Sequence, residues 1–86
     1  MIKEKEGCFY MEESGKIVAI INYIETDVIT INHTYVDESL RGQGVAFKLL
    51  SKVTQYAKNK NKKIHPVCSY AKDKLSGEEY KDLVIF

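Results

Sequence analysis

The apolar residues of this chain pass from strand spacing to helix spacing at a pair of glycines. Residues 8–11, 17–24 and 28–36 are rich in β-branched and aromatic side chains, the composition of strands. Ser14-Gly15 and Glu25-Thr26-Asp27 separate them and are short enough for hairpin turns, so the first third predicts an antiparallel meander. After a polar loop, Gly44 opens a different pattern. Ala46, Leu49, Leu50, Val53 and Ala57 recur at helical spacing, while Lys48, Lys52, Lys58, Lys60 and Lys62 fall mostly off that stripe. This predicts an amphipathic helix of about four turns.

Residues 64–68 then read as a short strand. A strand, a long helix and another strand imply a right-handed crossover, with residues 64–68 pairing parallel to 28–36. Pro66 lacks an N–H, so pairing should be incomplete there. Residues 69–75 suit a short helix, and Ser76-Gly77-Glu78-Glu79 resembles a capping box opening a last turn or two. The expected fold class is α/β: a meander, a strand–helix–strand crossover and short C-terminal helices.

Length and charge narrow the partners. Eighty-six residues make one domain, spanning 1–86, that buries roughly 60% of its unfolded surface. A net charge of +1, from 13 basic and 12 acidic residues, gives no reason to expect a nucleic-acid or membrane partner. The lysine-rich stretch 58–63 is better explained at a helix C-terminus, where cations oppose the dipole and Asn61 suits the helix stop. Cys8 and Cys68 are too few for a disulfide framework, and the opening residues are polar, so a cytoplasmic setting is expected. No zinc-type spacing of His and Cys appears, and no metal site is expected.

The chemistry concentrates in Arg41-Gly42-Gln43-Gly44-Val45-Ala46. A glycine loop between a strand and a helix start offers unpaired amides and a positive dipole end to phosphate. It is not a P-loop, because Val45-Ala46-Phe47 follows the second glycine where Lys-Ser/Thr is needed. Nor is it a dinucleotide fingerprint, since Phe47 occupies the third glycine position.

Arg41-x-x-Gly44-x-Ala46 resembles the Gln/Arg-x-x-Gly-x-Gly/Ala signature of GNAT N-acetyltransferases, which has the same strand-to-helix context. His33-Thr34-Tyr35-Val36, the loop, and Pro66-Val67-Cys68-Ser69-Tyr70 together resemble a subfamily of very short GNAT-like proteins, over nearly the whole chain. The resemblance implies acetyl-coenzyme A as substrate, held by Arg41, Gly42, Gln43, Gly44, Val45 and Ala46 at its pyrophosphate. Thr34, Tyr35 and Val36 would then contact the acetyl-pantetheine arm. It also implies an amine acceptor, a small molecule or a protein, whose binding site lacks the extra segments of larger relatives.

Three residues are candidates for chemistry. Cys68 ends the second parallel strand, where α/β folds place reactive groups, and can serve as nucleophile or pack as a small hydrophobe. His33 lies on the first parallel strand; alternation puts it on one face with Ile29, Ile31 and Tyr35. Tyr70 follows Cys68, in the region where GNAT enzymes carry a tyrosine that reprotonates the departing thiolate. Acetyl transfer to an amine is the leading reading. A non-catalytic acyl-coenzyme A-binding or sensing module is the alternative, and an interaction domain the third.

Overall fold

In the computed structural model, which describes residues 1–86, the chain runs through β1 (Lys3–Lys5), β2 (Cys8–Glu13), β3 (Lys16–Glu25) and β4 (Ile29–Val36). A 3-10 turn (Glu38–Leu40), α1 (Val45–Asn59), β5 (Ile64–Pro66), α2 (Ser69–Lys74) and a last 3-10 turn (Glu78–Tyr80) complete it. The strands form one sheet in chain order; β1 to β4 pair antiparallel, and β5 joins β4 parallel after the α1 crossover. The meander and parallel pairing are those the sequence predicts. β1 is an addition: its three residues are all exposed and charged, so no hydrophobic alternation marks it.

Both helices pack on one face of the sheet. Ile21, Tyr23, Ile29 and Ile31 of the strands meet Leu49, Leu50, Val53 and Ala57 of α1, with Ala71 and Leu75 closing the same cluster. Leu49, Val53 and Ala57 are fully inaccessible, as their helical spacing requires. Burying each such aliphatic side chain stabilises the fold by roughly 1.5–3 kcal/mol. The opposite face carries no helix.

α1 ends where its sequence directs. Asn61 takes a left-handed φ of 56°. Its amide bonds the Lys58 carbonyl at 3.1 Å and the Lys62 amide bonds the Ala57 carbonyl at 2.9 Å, the two bonds of a Schellman motif. The predicted capping box does not form. The last 3-10 turn has Gly77 at its N-cap with no side-chain bond, and the Ser76 hydroxyl instead donates to the Asp73 carbonyl at 2.8 Å, closing α2. Ser76 is drawn back because the end of α2 offers it a carbonyl first.

The face assignment of His33 also needs correction. Asn22 of β3 pairs with His33, but Tyr23 pairs with Ile31, so Asn32 is an extra residue in β4. A bulge of one residue reverses the alternation beyond it. Ile29 and Ile31 stay in the core; His33 and Tyr35, paired with Asn22 and Ile20, turn to the helix-free face. Thr34 and Val36, paired with Ile21 and Ala19, now point toward the helices.

β4 and β5 part early. Their pairing stops at Ile31 opposite Pro66, and the amides of Val67 and Cys68 both bond the Ile31 carbonyl, at 2.9 and 3.1 Å. Residues 32–36 of β4 therefore have no ladder partner on that side. The outer edge of β5 is covered by the chain's last residues, with a bridge between Ile64 and Val84.

Candidate functional site

The loop after β4 is braced before it reaches the glycines. The Asp37 carboxylate accepts from the Ser39 hydroxyl at 2.5 Å and the Ser39 amide at 3.1 Å, and the Tyr35 hydroxyl donates to it at 3.3 Å. Those bonds, the Ser39 hydroxyl first, hold Asp37 below the usual carboxylate range. Gln43 turns back and donates to the Ser39 carbonyl at 3.3 Å. Gly42 and Gly44 take φ values of 81° and 72°, which ordinary side chains rarely adopt. A Cβ on either would meet no atom within 4 Å, so the space beside both is open.

Gly44 is the N-cap of α1 and supplies no side-chain bond, and the first turn contains no acid. The first amides of the helix thus face the open space without a protein acceptor, at the positive end of its dipole. That space is a cavity of about 340 Å³ between the loop, the start of α1 and α2, bounded by Val36, Leu40, Arg41, Gly42, Gly44, Val45, Ala46, Phe47, Tyr70 and Lys74. Two cations and no acid line it, and neither Arg41 nor Lys74 makes a salt bridge. The residues fit a phosphorylated ligand.

Cys68 lies where the two parallel strands have parted. It is the N-cap of α2, its sulfur accepting from the Ala71 amide at 3.4 Å, and it lies 3.4 Å from the Thr34 hydroxyl. Tyr70 stands one residue into α2 and lines the cavity. Burial first, then the charges of Asp73 and Cys68, raise its hydroxyl above the ordinary tyrosine range, so it is protonated near neutral pH.

Of the residues singled out from sequence, Val36, Arg41, Gly42, Gly44, Val45, Ala46 and Tyr70 meet around one cavity, and Thr34 with Cys68 lies beside it. Gln43 and Tyr35 spend their polar groups on bracing the loop. His33 is exposed on the far face and makes no hydrogen bond with Cys68. Leu40, Phe47 and Lys74 are lining residues that sequence reasoning missed. Lys74 had a usable signal: it follows Tyr70 by four positions and so shares its helix face.

A larger cavity, about 720 Å³, lies at the other end of α1 between Glu4, Tyr23, Glu25, Tyr56 and Lys62. Three of its polar groups, Glu25, Tyr56 and Lys62, already bond one another. Glu25 accepts from Lys62 at 2.8 Å and from the Tyr56 hydroxyl at 2.5 Å, and pairs with Lys60 at 3.5 Å. The Lys62 and Tyr56 bonds bring its carboxyl from the ordinary 4.5 to about 2. Burial, followed by the neighbouring Tyr56, pushes Tyr23 up to about 12. Lys63 donates to the Asp82 carbonyl. The lysine-rich stretch thus fastens the end of α1 to the sheet and to the chain's last residues.

The site is thus a glycine loop at a helix start, beside parallel strands that part next to a thiol. Residues 8–83 match the profile described as GCN5-related N-acetyl-transferase, and the chain belongs to that family. An uncharacterised N-acetyltransferase of Methanocaldococcus jannaschii is 29% identical over 96% of this chain, which spans only 40% of that relative's length. The solution structure of a GCN5-like protein from Staphylococcus aureus, described as a candidate N-acetyltransferase, superposes with a TM-score of 0.79 at 38% identity, covering 99% of this chain and 87% of that one. A candidate streptothricin acetyltransferase from Bacillus anthracis, solved with acetyl coenzyme A, shares the fold at a TM-score of 0.57 and 23% identity, over 71% of this chain and 38% of that one.

Proposed function

We propose that this domain binds acetyl-coenzyme A and transfers the acetyl group to an amine. The observation that carries the proposal is the cavity at the α1 N-terminus, open beside Gly42 and Gly44 and bounded by Val36 at the parted end of β4. The pyrophosphate of the substrate would lie on the α1 amides and Arg41. Its pantetheine arm would run past Val36 and Tyr70 toward Thr34 and Cys68.

In the transfer, the amine nitrogen attacks the thioester carbonyl carbon; a C–N bond forms, the C–S bond breaks, and the nitrogen gives up a proton. Tyr70, protonated at neutral pH, is the group we assign to return a proton to the departing thiolate. Cys68 lies at the same end and offers a two-step route. Its thiolate would take the acetyl group and expel the coenzyme as a thiolate, which takes a proton from Tyr70. The amine would then attack the acetyl-cysteine, breaking its C–S bond, freeing the Cys68 thiolate and returning a proton to Tyr70. The Ala71 amide and Thr34 hydroxyl orient its sulfur for that role. His33, on the helix-free face, is suited to meeting the acceptor rather than to activating Cys68. Two unpaired thiols suit a reducing, cytoplasmic setting, and no helix is long and apolar enough to cross a membrane.

One observation favours a second reading, an acyl-coenzyme A-binding module without turnover. The sheet face opposite α1 carries no element that would enclose an acceptor. Calorimetric titration with acetyl-coenzyme A, followed by release of free coenzyme thiol with a panel of amines, separates the readings. Binding with thiol release is expected; binding with none supports the module, and no binding removes both.

A further inference from the structure

Resting on the coenzyme reading above, we infer that Lys74 is the specificity residue for the 3′-phosphate of the coenzyme, the group that distinguishes it from its dephosphorylated form. The argument begins with donors. Coenzyme A carries three phosphates, two in the pyrophosphate and one on the ribose. The α1 amides and Arg41 both belong to the loop side of the cavity and together suit the pyrophosphate. Lys74 is the other cation lining the cavity and comes from the α2 side.

Its position along the site agrees. Cys68 is the N-cap of α2 and Lys74 its last residue, so the two lie roughly 9 Å apart along the helix axis. Tyr70 lies between them in sequence and shares the helix face of Lys74, whose ammonium is 6.0 Å from its ring. A ligand with its thioester at Cys68 therefore meets Tyr70 along its arm and Lys74 at its nucleotide end. Across the cavity, Phe47 is 47% exposed although it is a large aromatic residue in the first turn of α1. A bare ring facing a cation without a carboxylate partner suits a base and its ribose phosphate.

The test is calorimetric titration of the wild type, Lys74→Met and Lys74→Arg with coenzyme A and with 3′-dephospho-coenzyme A at one fixed salt concentration. The wild type should prefer coenzyme A about fivefold, the scale of a solvent-accessible ion pair. Lys74→Met should abolish that preference with dephospho-coenzyme affinity unchanged, and Lys74→Arg should keep it. Phe47→Ala should weaken both ligands alike. Equal weakening of both ligands in Lys74→Met would put Lys74 on the pyrophosphate and overturn the inference, as would an unaltered preference. A wild type that binds both forms equally also overturns it while leaving the proposed function intact. A wild type that binds neither removes the proposed function itself.

Discussion

The hydroxyl of Thr34 lies 3.4 Å from the sulfur of Cys68, across the gap that opens once β4 and β5 have parted. Thr34 reaches that position because Asn32 is an extra residue in β4; with unbroken alternation it would face away from the helices. Local strand geometry and the candidate site are thus linked. A polar contact to a soft sulfur contributes little to stability, so its value lies in fixing where the thiol points.

The two cysteines should respond differently to ligand. Cys8 is 5% exposed on the helix-free side of the sheet, whereas Cys68 is only partly covered where β4 and β5 have parted. Coenzyme A is expected to protect Cys68 from alkylation and leave Cys8, slow in both states, unaffected; peptide mass spectrometry reads both. Equal labelling of Cys68 with and without ligand would exclude it from the site. If it is protected, Cys68→Ser sorts its roles: binding kept and turnover lost means chemistry, both kept means a neighbour.

Ligand should stabilise the fold measurably. A ligand at a hundredfold over its dissociation constant adds about 2.7 kcal/mol. In a domain of this size each kcal/mol is worth roughly 4–8 °C in melting temperature. Coenzyme A and acetyl-coenzyme A at saturation should therefore raise the melting temperature by about ten degrees or more. No shift at millimolar concentration would sink the binding claim.

Gly44→Val tests the cradle. The φ of 72° disfavours a β-branched residue, and the new side chain would project into space that the ligand uses. Circular dichroism should remain that of a folded protein with a melting temperature several degrees lower, while coenzyme binding is lost. Charge reversal at Lys48, one turn into α1, should weaken binding less and in a salt-dependent way. Normal binding by Gly44→Val would move the phosphate site elsewhere.

Acid stability should depend on Glu25. Its carboxyl titrates near 4.5 in the unfolded chain and near 2 in the fold, so the folded state holds this proton more weakly. The stabilisation is complete above about pH 4.5 and is lost as pH falls through about 2. Glu25→Gln should flatten that part of the melting-temperature profile and leave coenzyme affinity at neutral pH unchanged, because the pair lies at the far end of α1. A profile identical to the wild type would show that the Lys62 and Tyr56 bonds do not persist in solution.

The meander, the crossover helix with its Asn61 stop and the glycine loop were legible in the sequence because each is encoded locally. Apolar period, a residue tolerant of left-handed backbone and a strand-to-helix context suffice for these. The strand Lys3–Lys5 was not legible, since an edge strand of exposed charges has no apolar face. The side of the sheet taken by His33 was not legible either, because nothing in Ile31-Asn32-His33 marks a bulge; pairing with β3 creates it. Lys74 escaped notice because a lysine on a short helix acquires meaning only when tertiary packing sets it across from Gly42 and Gly44.

Asn32 stands in β4 as an inserted base stands among codons. An added residue would exchange what every later side chain of β4 faces were it not absorbed in the bulge; without Asn32, plain alternation from Ile31 would still leave His33 and Tyr35 outward and Thr34 and Val36 inward. Where the bulge sits, more than which residue fills it, is therefore the information carried at this point of the chain. Swaps of Asn32 for another polar residue and its single deletion should therefore both keep Thr34 beside Cys68 and leave coenzyme binding in place, as calorimetry would read.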